Sequence, residues 1–179
     1  MNRQFTYTTA SSDQELQEIL LLQKKNLLTY ITNEESTLEG FVTVQHNFDI
    51  LQRMNQSQPH TIAKDGDKVI GYALSMTKDF GNAIEVLKPM FVKIENSFLK
   101  DTSYIIMGQI CIDKTYRKKG IFRGLYQTMQ ESTKPYFETI ITEVDALNKR
   151  SLQAHYAIGF QLLKTYRYKG QDWKLIYWS

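Results

Sequence analysis

Between positions 104 and 126 the chain reads YIIMGQICIDKTYRKKGIFRGLY. The first nine residues are nearly all apolar, a basic run then ends at Gly120, and Ile121, Leu125 and Met129 recur at helical spacing with Phe122 and Tyr126 beside them. The pattern predicts a strand, a loop and a helix, with residues 117–120 at the handover. A helix start presents unpaired backbone N–H groups and the positive end of a dipole, and a glycine lets an anion come close. The stretch is therefore a phosphate cradle in outline, and the remaining elements must be arranged around it.

The length of 179 residues suits one domain over residues 1–179, and 42% hydrophobic with 23% charged residues is the balance of a folded, soluble chain. The net charge of +3 is small, and its clearest cluster is Lys114, Arg117, Lys118, Lys119 and Arg123, beside the cradle. Such a cluster fits a small polyanionic ligand, whereas duplex DNA calls for a broader basic surface, so no nucleic-acid partner is expected. A lone cysteine, Cys111, rules out an internal disulfide and points to a reducing cytoplasm. The amino terminus carries no apolar signal core, and no apolar run approaches the roughly 18 residues of a spanning helix, so neither secretion nor a membrane is expected.

Around the cradle, residues 4–9 alternate as a short strand, and Ser12 with Glu15 forms a capping box for a helix over 13–27. Past a polar link over 32–40, Thr43 is the expected cap of a second helix bearing Val44, Phe48, Leu51 and Met54. Asp65-Gly66-Asp67 between two apolar runs predicts a hairpin, with Gly71 marking a bulge or a close approach. Leu87, Met90, Phe91, Ile94 and Phe98 form a helical stripe that faces a core, with Pro89 in its first turn. Residues 139–144 read as a buried strand, Asn148 as a helix cap, Gly159 as that helix's end, and residues 161–178 as a final hairpin turning at Gly170-Gln171-Asp172.

Two of these segments carry a resemblance. Arg117-Lys118-Lys119-Gly120-Ile121-Phe122 is similar to the pyrophosphate loop, Arg/Gln-x-x-Gly-x-Gly/Ala, of the GCN5-related N-acetyltransferase (GNAT) superfamily, with Phe122 standing where that pattern has a small residue. Asn148-Lys149-Arg150-Ser151 through Gly159-Phe160 resembles the same family's Asn-x-x-Ala/Ser helix ending in Gly-Phe. The resemblance implies an α+β fold with a mixed, mostly antiparallel sheet of six to seven strands, splayed between the strands at 104–112 and 139–144, with helices on both faces. It implies acetyl-coenzyme A as cosubstrate in that opening: its pyrophosphate on the backbone of Lys118, Lys119, Gly120, Ile121, Phe122 and Arg123, and its pantetheine arm along Ile110, Cys111 and Ile112. No metal is called for. His46 and His60 show no metal-ligand spacing with each other or with Cys111.

The implied reaction is direct attack of an amine on the thioester, which needs a base, an oxyanion donor and an exit for the thiolate. A backbone N–H at Cys111 or Ile112 is the expected donor. The family's usual acid is a tyrosine five residues before the phenylalanine of Gly-Phe; here that count reaches His155, with Tyr156 one place off, and adjacent helix residues point about 100° apart. Glu143 is the expected base, with Glu85 and Asp79 as alternatives, and Asn148 and Ser151 hold the cosubstrate or cap a helix. Cys111, inside an apolar strand, reads as a small hydrophobe more readily than as a nucleophile. The acceptor is expected to be a small-molecule or peptide amine, with Tyr30, Phe41 and Phe80 as pocket candidates. Two alternatives stay open: a coenzyme-binding regulatory module without turnover, and a homodimer formed through the edge of the final hairpin.

Overall fold

The computed structural model describes residues 4–30, 32, 41–82 and 84–179. In chain order these form β1 (Thr6–Thr9), α1 (Asp13–Asn26), α2 (Phe48–Ser57), β2 (Thr61–Asp65), β3 (Lys68–Met76), α3 (Lys88–Glu95), β4 (Tyr104–Ile112), α4 (Ile121–Thr133), β5 (Thr139–Asp145), α5 (Lys149–Ile158), β6 (Gln161–Tyr168) and β7 (Gln171–Trp178). Most of the expected polar link over 32–40 lies outside the described residues. The seven strands make one sheet in the order β1-β2-β3-β4-β5-β7-β6, antiparallel at every step except β4 to β5.

Alternation along the strands sends side chains to two cores, one on each face. On one face Leu16, Ile19 and Leu22 of α1, Leu51 and Met54 of α2, and Met90 and Ile94 of α3 pack over Tyr72, Leu74 and Ile106. On the other, Ile121, Leu125, Tyr126 and Met129 of α4 and Leu152 of α5 cover Ile70, Ala73, Ile105 and Ile140. The Ser12–Glu15 capping box is present at α1. The Asp-Gly turn joins β2 to β3. Gly71 is a close approach, because a Cβ there would sit 3.3 Å from the Cys111 carbonyl oxygen.

Three local expectations are corrected. The second helix starts at Phe48 with Asn47 as its cap, accepting the Ile50 N–H at 2.9 Å, and not at Thr43. The reason is tertiary: Gln109 Nε2 donates to the Val44 carbonyl at 2.8 Å and Gln23 Oε1 accepts the His46 N–H at 2.8 Å, which holds this segment out of a helix. The last hairpin turns at Lys169-Gly170, with φ of 48° and 82°, the two positive values that a two-residue hairpin needs, so Gln171 and Asp172 join β7. Phe98 lies beyond α3, 68% exposed, its ring edge against Tyr177 at 5.5 Å.

Candidate active site

The parallel contact between β4 and β5 consists of Tyr104, Ile105 and Ile106 against Thr139, Ile140 and Ile141. From Met107 onward the two strands part, and the wedge between them is the cleft. Across β4, the Asp113 N–H donates to the Ile70 carbonyl at 2.8 Å. Alternation along the antiparallel register then turns the Cys111 N–H toward Tyr72 and the N–H groups of Ile110 and Ile112 toward the wedge. Of the two backbone donors expected from sequence, Ile112 thus faces the opening and Cys111 does not, while Ile110 joins it.

At the mouth, a single 3-10 turn at Lys114–Tyr116 leads into the basic run. Lys118 and Gly120 both adopt left-handed backbone, with φ of 62° and 80°, and Gly120 is the cap residue of α4 with no side chain to satisfy the first N–H groups. Those donors are left for an anion, the arrangement in which a chain binds phosphate through its backbone. A cavity of about 210 Å³ opens there, lined by Ile110, Cys111, Ile112, Arg117, Lys118, Gly120, Ile121 and Phe122 on one side and by Asn148, Arg150 and Ser151 on the other. Lys119 and Arg123 are not among its lining: Lys119 Nζ donates to the Thr115 carbonyl and sits 5.0 Å above the Tyr116 ring, and Arg123 is exposed. Arg117 ties the mouth together, donating from Nε to the Ile112 carbonyl at 3.2 Å and from Nη2 to Asn26 Oδ1 at 2.8 Å.

Residues 41 and 42 roof the cleft. The Val42 N–H donates to the Asn26 carbonyl and its own carbonyl accepts the Leu28 N–H, while Asn148 Nδ2, on the opposite wall, donates to the Phe41 carbonyl at 3.1 Å. Asn148 also caps α5 by accepting the Ser151 N–H, so the helix cap expected of it is present in the wall of the site. Asn26 was not legible as a site residue, nor was the tie between Phe41 and Asn148, because Arg117 and Asn148 lie far along the chain from these partners and no spacing links them. Beneath the roof the cavity continues into a smaller one of about 70 Å³, lined by Phe41, Thr43, Gln109, Glu143, His155 and Trp173 among others.

Of the three candidate bases, only Glu143 lines the cleft. Glu85 lies in a separate groove beside Arg53, and Asp79 accepts from Thr77 on a surface turn. Glu143 is partly buried, accepts a hydrogen bond from the Tyr166 hydroxyl, and is pushed up to about 7 by burial, with that bond pulling the other way. His155 lies at the floor, 1% exposed. Its Nδ1 donates to the Ser151 carbonyl at 2.7 Å, so Nε2 accepts the Tyr126 hydroxyl at 2.7 Å, and burial pushes the ring down to about 4. Tyr156 is 42% exposed and lines neither cavity. Cys111 is buried and its thiol is pushed up to about 12, chiefly by burial, which suits a core side chain. Of the pocket candidates, Phe41 lines both cavities, Phe80 is buried beneath Arg53, and Tyr30 is 61% exposed. Phe122 fills its place with its ring 5.0 Å from His155, so the two departures from the family pattern touch one another.

A model described as the acetyltransferase (GNAT) family matches residues 8–160. Solved structures share the fold: the ribosomal-protein-S18-alanine N-acetyltransferase of Escherichia coli at 13% identity and TM-score 0.65, covering 97% of this chain and 92% of that one. Naa50 of Arabidopsis thaliana, in complex with the bisubstrate analogue CoA-Ac-MVNAL, aligns at 12% identity and TM-score 0.65 over 98% of both chains. The putative acetyltransferase yncA of Salmonella typhimurium, with acetyl-CoA, aligns at 10% identity and TM-score 0.64 over 98% of this chain and 93% of that one. No curated protein sequence matches the chain.

Proposed function

The chain belongs to the acetyltransferase (GNAT) family, and from that premise we propose that it transfers an acetyl group from acetyl-coenzyme A directly to a primary amine of a small molecule or a peptide. The observation that carries this reading is the wedge between β4 and β5 with a left-handed, uncapped helix start at its mouth. A neighbour of the same fold holds acetyl-CoA and another a bisubstrate analogue of CoA and a peptide, which supports the same class of ligand here.

In this reading the backbone from Lys118 to Phe122 receives the pyrophosphate, and the open edge of Ile110 and Ile112 receives the pantetheine arm as an added strand would be received. One of those two N–H groups stabilises the oxyanion. Glu143 takes the proton of the attacking amine, since a carboxyl near 7 is ionised in part at neutral pH and still basic enough to be useful. His155 contributes shape, because both ring nitrogens are already engaged. A thiolate is a tolerable leaving group without an acid, and the start of α5 at Asn148 places positive dipole beside the cavity.

The test is calorimetric titration with acetyl-CoA followed by thiol release over a panel of amines. Wild type binds and releases thiol. Gly120→Ala, forced into left-handed backbone, binds roughly tenfold more weakly. Glu143→Gln keeps its affinity for acetyl-CoA while kcat falls on the order of 100-fold. Binding without thiol release for any amine identifies the alternative, a coenzyme-binding module without turnover.

A further inference from the structure

Tyr166 is absent from every motif that the sequence displays, yet its hydroxyl donates to Oε2 of Glu143 from the far side of β7. It stands on β6 opposite Trp173 of β7, while Glu143 of β5 stands opposite Leu175, so the bond reaches across the intervening strand. Tyr166 is 9% exposed, and the Lys93 ammonium lies 5.9 Å from the centre of its ring. The other carboxylate oxygen, Oε1, has no protein partner among the described residues, and the side chain lines the small cavity.

We propose that Tyr166 is a positioning residue for proton removal from the acceptor: its phenol holds Oε2 of Glu143 and leaves Oε1 to receive the proton of the amine. This rests on Glu143 being the base. As the carbon–nitrogen bond forms, the amine proton passes to Oε1; as the carbon–sulfur bond breaks, its electron pair leaves on sulfur, and the proton on Oε1 is later lost to solvent. Tyr166 keeps its own proton throughout, because burial and the adjacent Glu143 hold its hydroxyl far above the ordinary tyrosine range.

Geometry and electrostatics agree. Burial favours the neutral carboxyl and the phenol's hydrogen bond favours the carboxylate, so Tyr166 is the group that keeps Glu143 ionisable near neutrality. The other groups around it do not perform this task. His155 on α5 is neutral and bonded to Ser151 and Tyr126, and Gln109 on β4 carries no charge. Asp145, on the same strand and lining the same cavity, is occupied by the Leu147 N–H and Gln171 Nε2. Lys174 on β7 donates to Thr165, and the roof residues lining this cavity, Phe41 to Val44, cannot titrate. Lys93 and Tyr168 act on Tyr166 and not on the carboxylate directly.

The test reads Glu143 itself. A carbon-13 titration of the side-chain carboxyl, assigned by its loss in Glu143→Gln, gives a midpoint without any turnover, and the pH profile of kcat gives the same group in action. In Tyr166→Phe both midpoints rise by about one pH unit, so activity is lost at low pH and recovered at high pH. With 3-fluorotyrosine incorporated at position 166, a stronger donor, both midpoints fall. That variant also carries the test should the phenylalanine chain not fold. A midpoint unmoved by either change, with kcat lost in Glu143→Gln, overturns the role of Tyr166 alone. Undiminished kcat in Glu143→Gln overturns the base reading together with it.

Discussion

Glu143 is held against its own solvation. Its folded pKa near 7 lies above the ordinary 4.5, so above pH 7 the folded chain keeps a carboxylate in a site that disfavours it. This group therefore favours folding below pH 4.5, and the benefit disappears as pH rises through 7. Glu143→Gln therefore raises thermal stability at pH 8, by about 2 kcal/mol after allowance for partial exposure, and changes little at pH 4.5. Melting curves at the two pH values check this, and equal shifts at both refute it. The same variant loses turnover in the proposed reaction, which is the exchange of stability for function expected of a buried general base. Phe122 and His155 form a second coupled pair. Each departs from the family pattern, and the sequence presents them 33 positions apart as separate oddities. In the fold their rings meet edge to face at 5.0 Å, with Tyr126 and Phe160 closing the box around His155. Only a tertiary contact shows that one departure accommodates the other.

Among the elements, α4 carries the left-handed basic loop at its start, and its seat against β1 depends on Gly124. A Cβ at Gly124 would stand 2.3 Å from Cζ of Tyr7, so the helix and strand meet at a glycine. Alanine in a helix interior ordinarily gains about 1 kcal/mol over glycine. Here the displaced Tyr7 ring outweighs that gain, and Gly124→Ala lowers stability by about 1 kcal/mol. In a Tyr7→Ala background the same change becomes stabilising, and a double-mutant cycle in urea reads the reversal. Identical signs in both backgrounds would falsify the contact's role. Elements of this kind were legible wherever the signal was local. The capping box at Ser12, the Asp-Gly hairpin, the strand at 104–112 and the loop ending at Gly120 each declare themselves within a few residues. What was illegible depends on distance along the chain. The roof at Phe41 is tied to Asn148, 107 residues away, and Gln23 meets Gln109 across 86. The bonds of Gln109 to the Val44 carbonyl and of the His46 N–H to Gln23 override the helical spacing that made Thr43 look like a cap. Tyr166 reaches Glu143 only because β7 lies between their strands in the sheet, an order that no pattern in β6 announces.

For the molecule as a whole, the decisive fact about pH is that all three histidines, His46, His60 and His155, are buried and pushed down to about 4, chiefly by burial. Each is held as a neutral ring by specific partners: Gln23 beside His46, the Leu51 carbonyl and Ser75 N–H about His60, and Ser151 with Tyr126 about His155. In the unfolded chain each titrates near 6.5. Their contribution to stability is therefore complete above pH 6.5 and is lost as pH falls toward 4, because the unfolded state then binds protons that the folded state refuses. Each shift corresponds to about 3 kcal/mol, and Glu143 acts oppositely over much of the same window, so about two such terms remain, roughly 6 kcal/mol. A chain of this size has about 5–15 kcal/mol in all. The protein is thus expected to unfold cooperatively on acidification, with a midpoint between pH 4 and 6, well before its surface carboxylates are neutralised. Near-ultraviolet circular dichroism and the fluorescence of Trp173 and Trp178, both on β7, report the transition. Native signals that persist to pH 4 would show that the rings accept protons in place, and that their burial is less costly than these contacts imply.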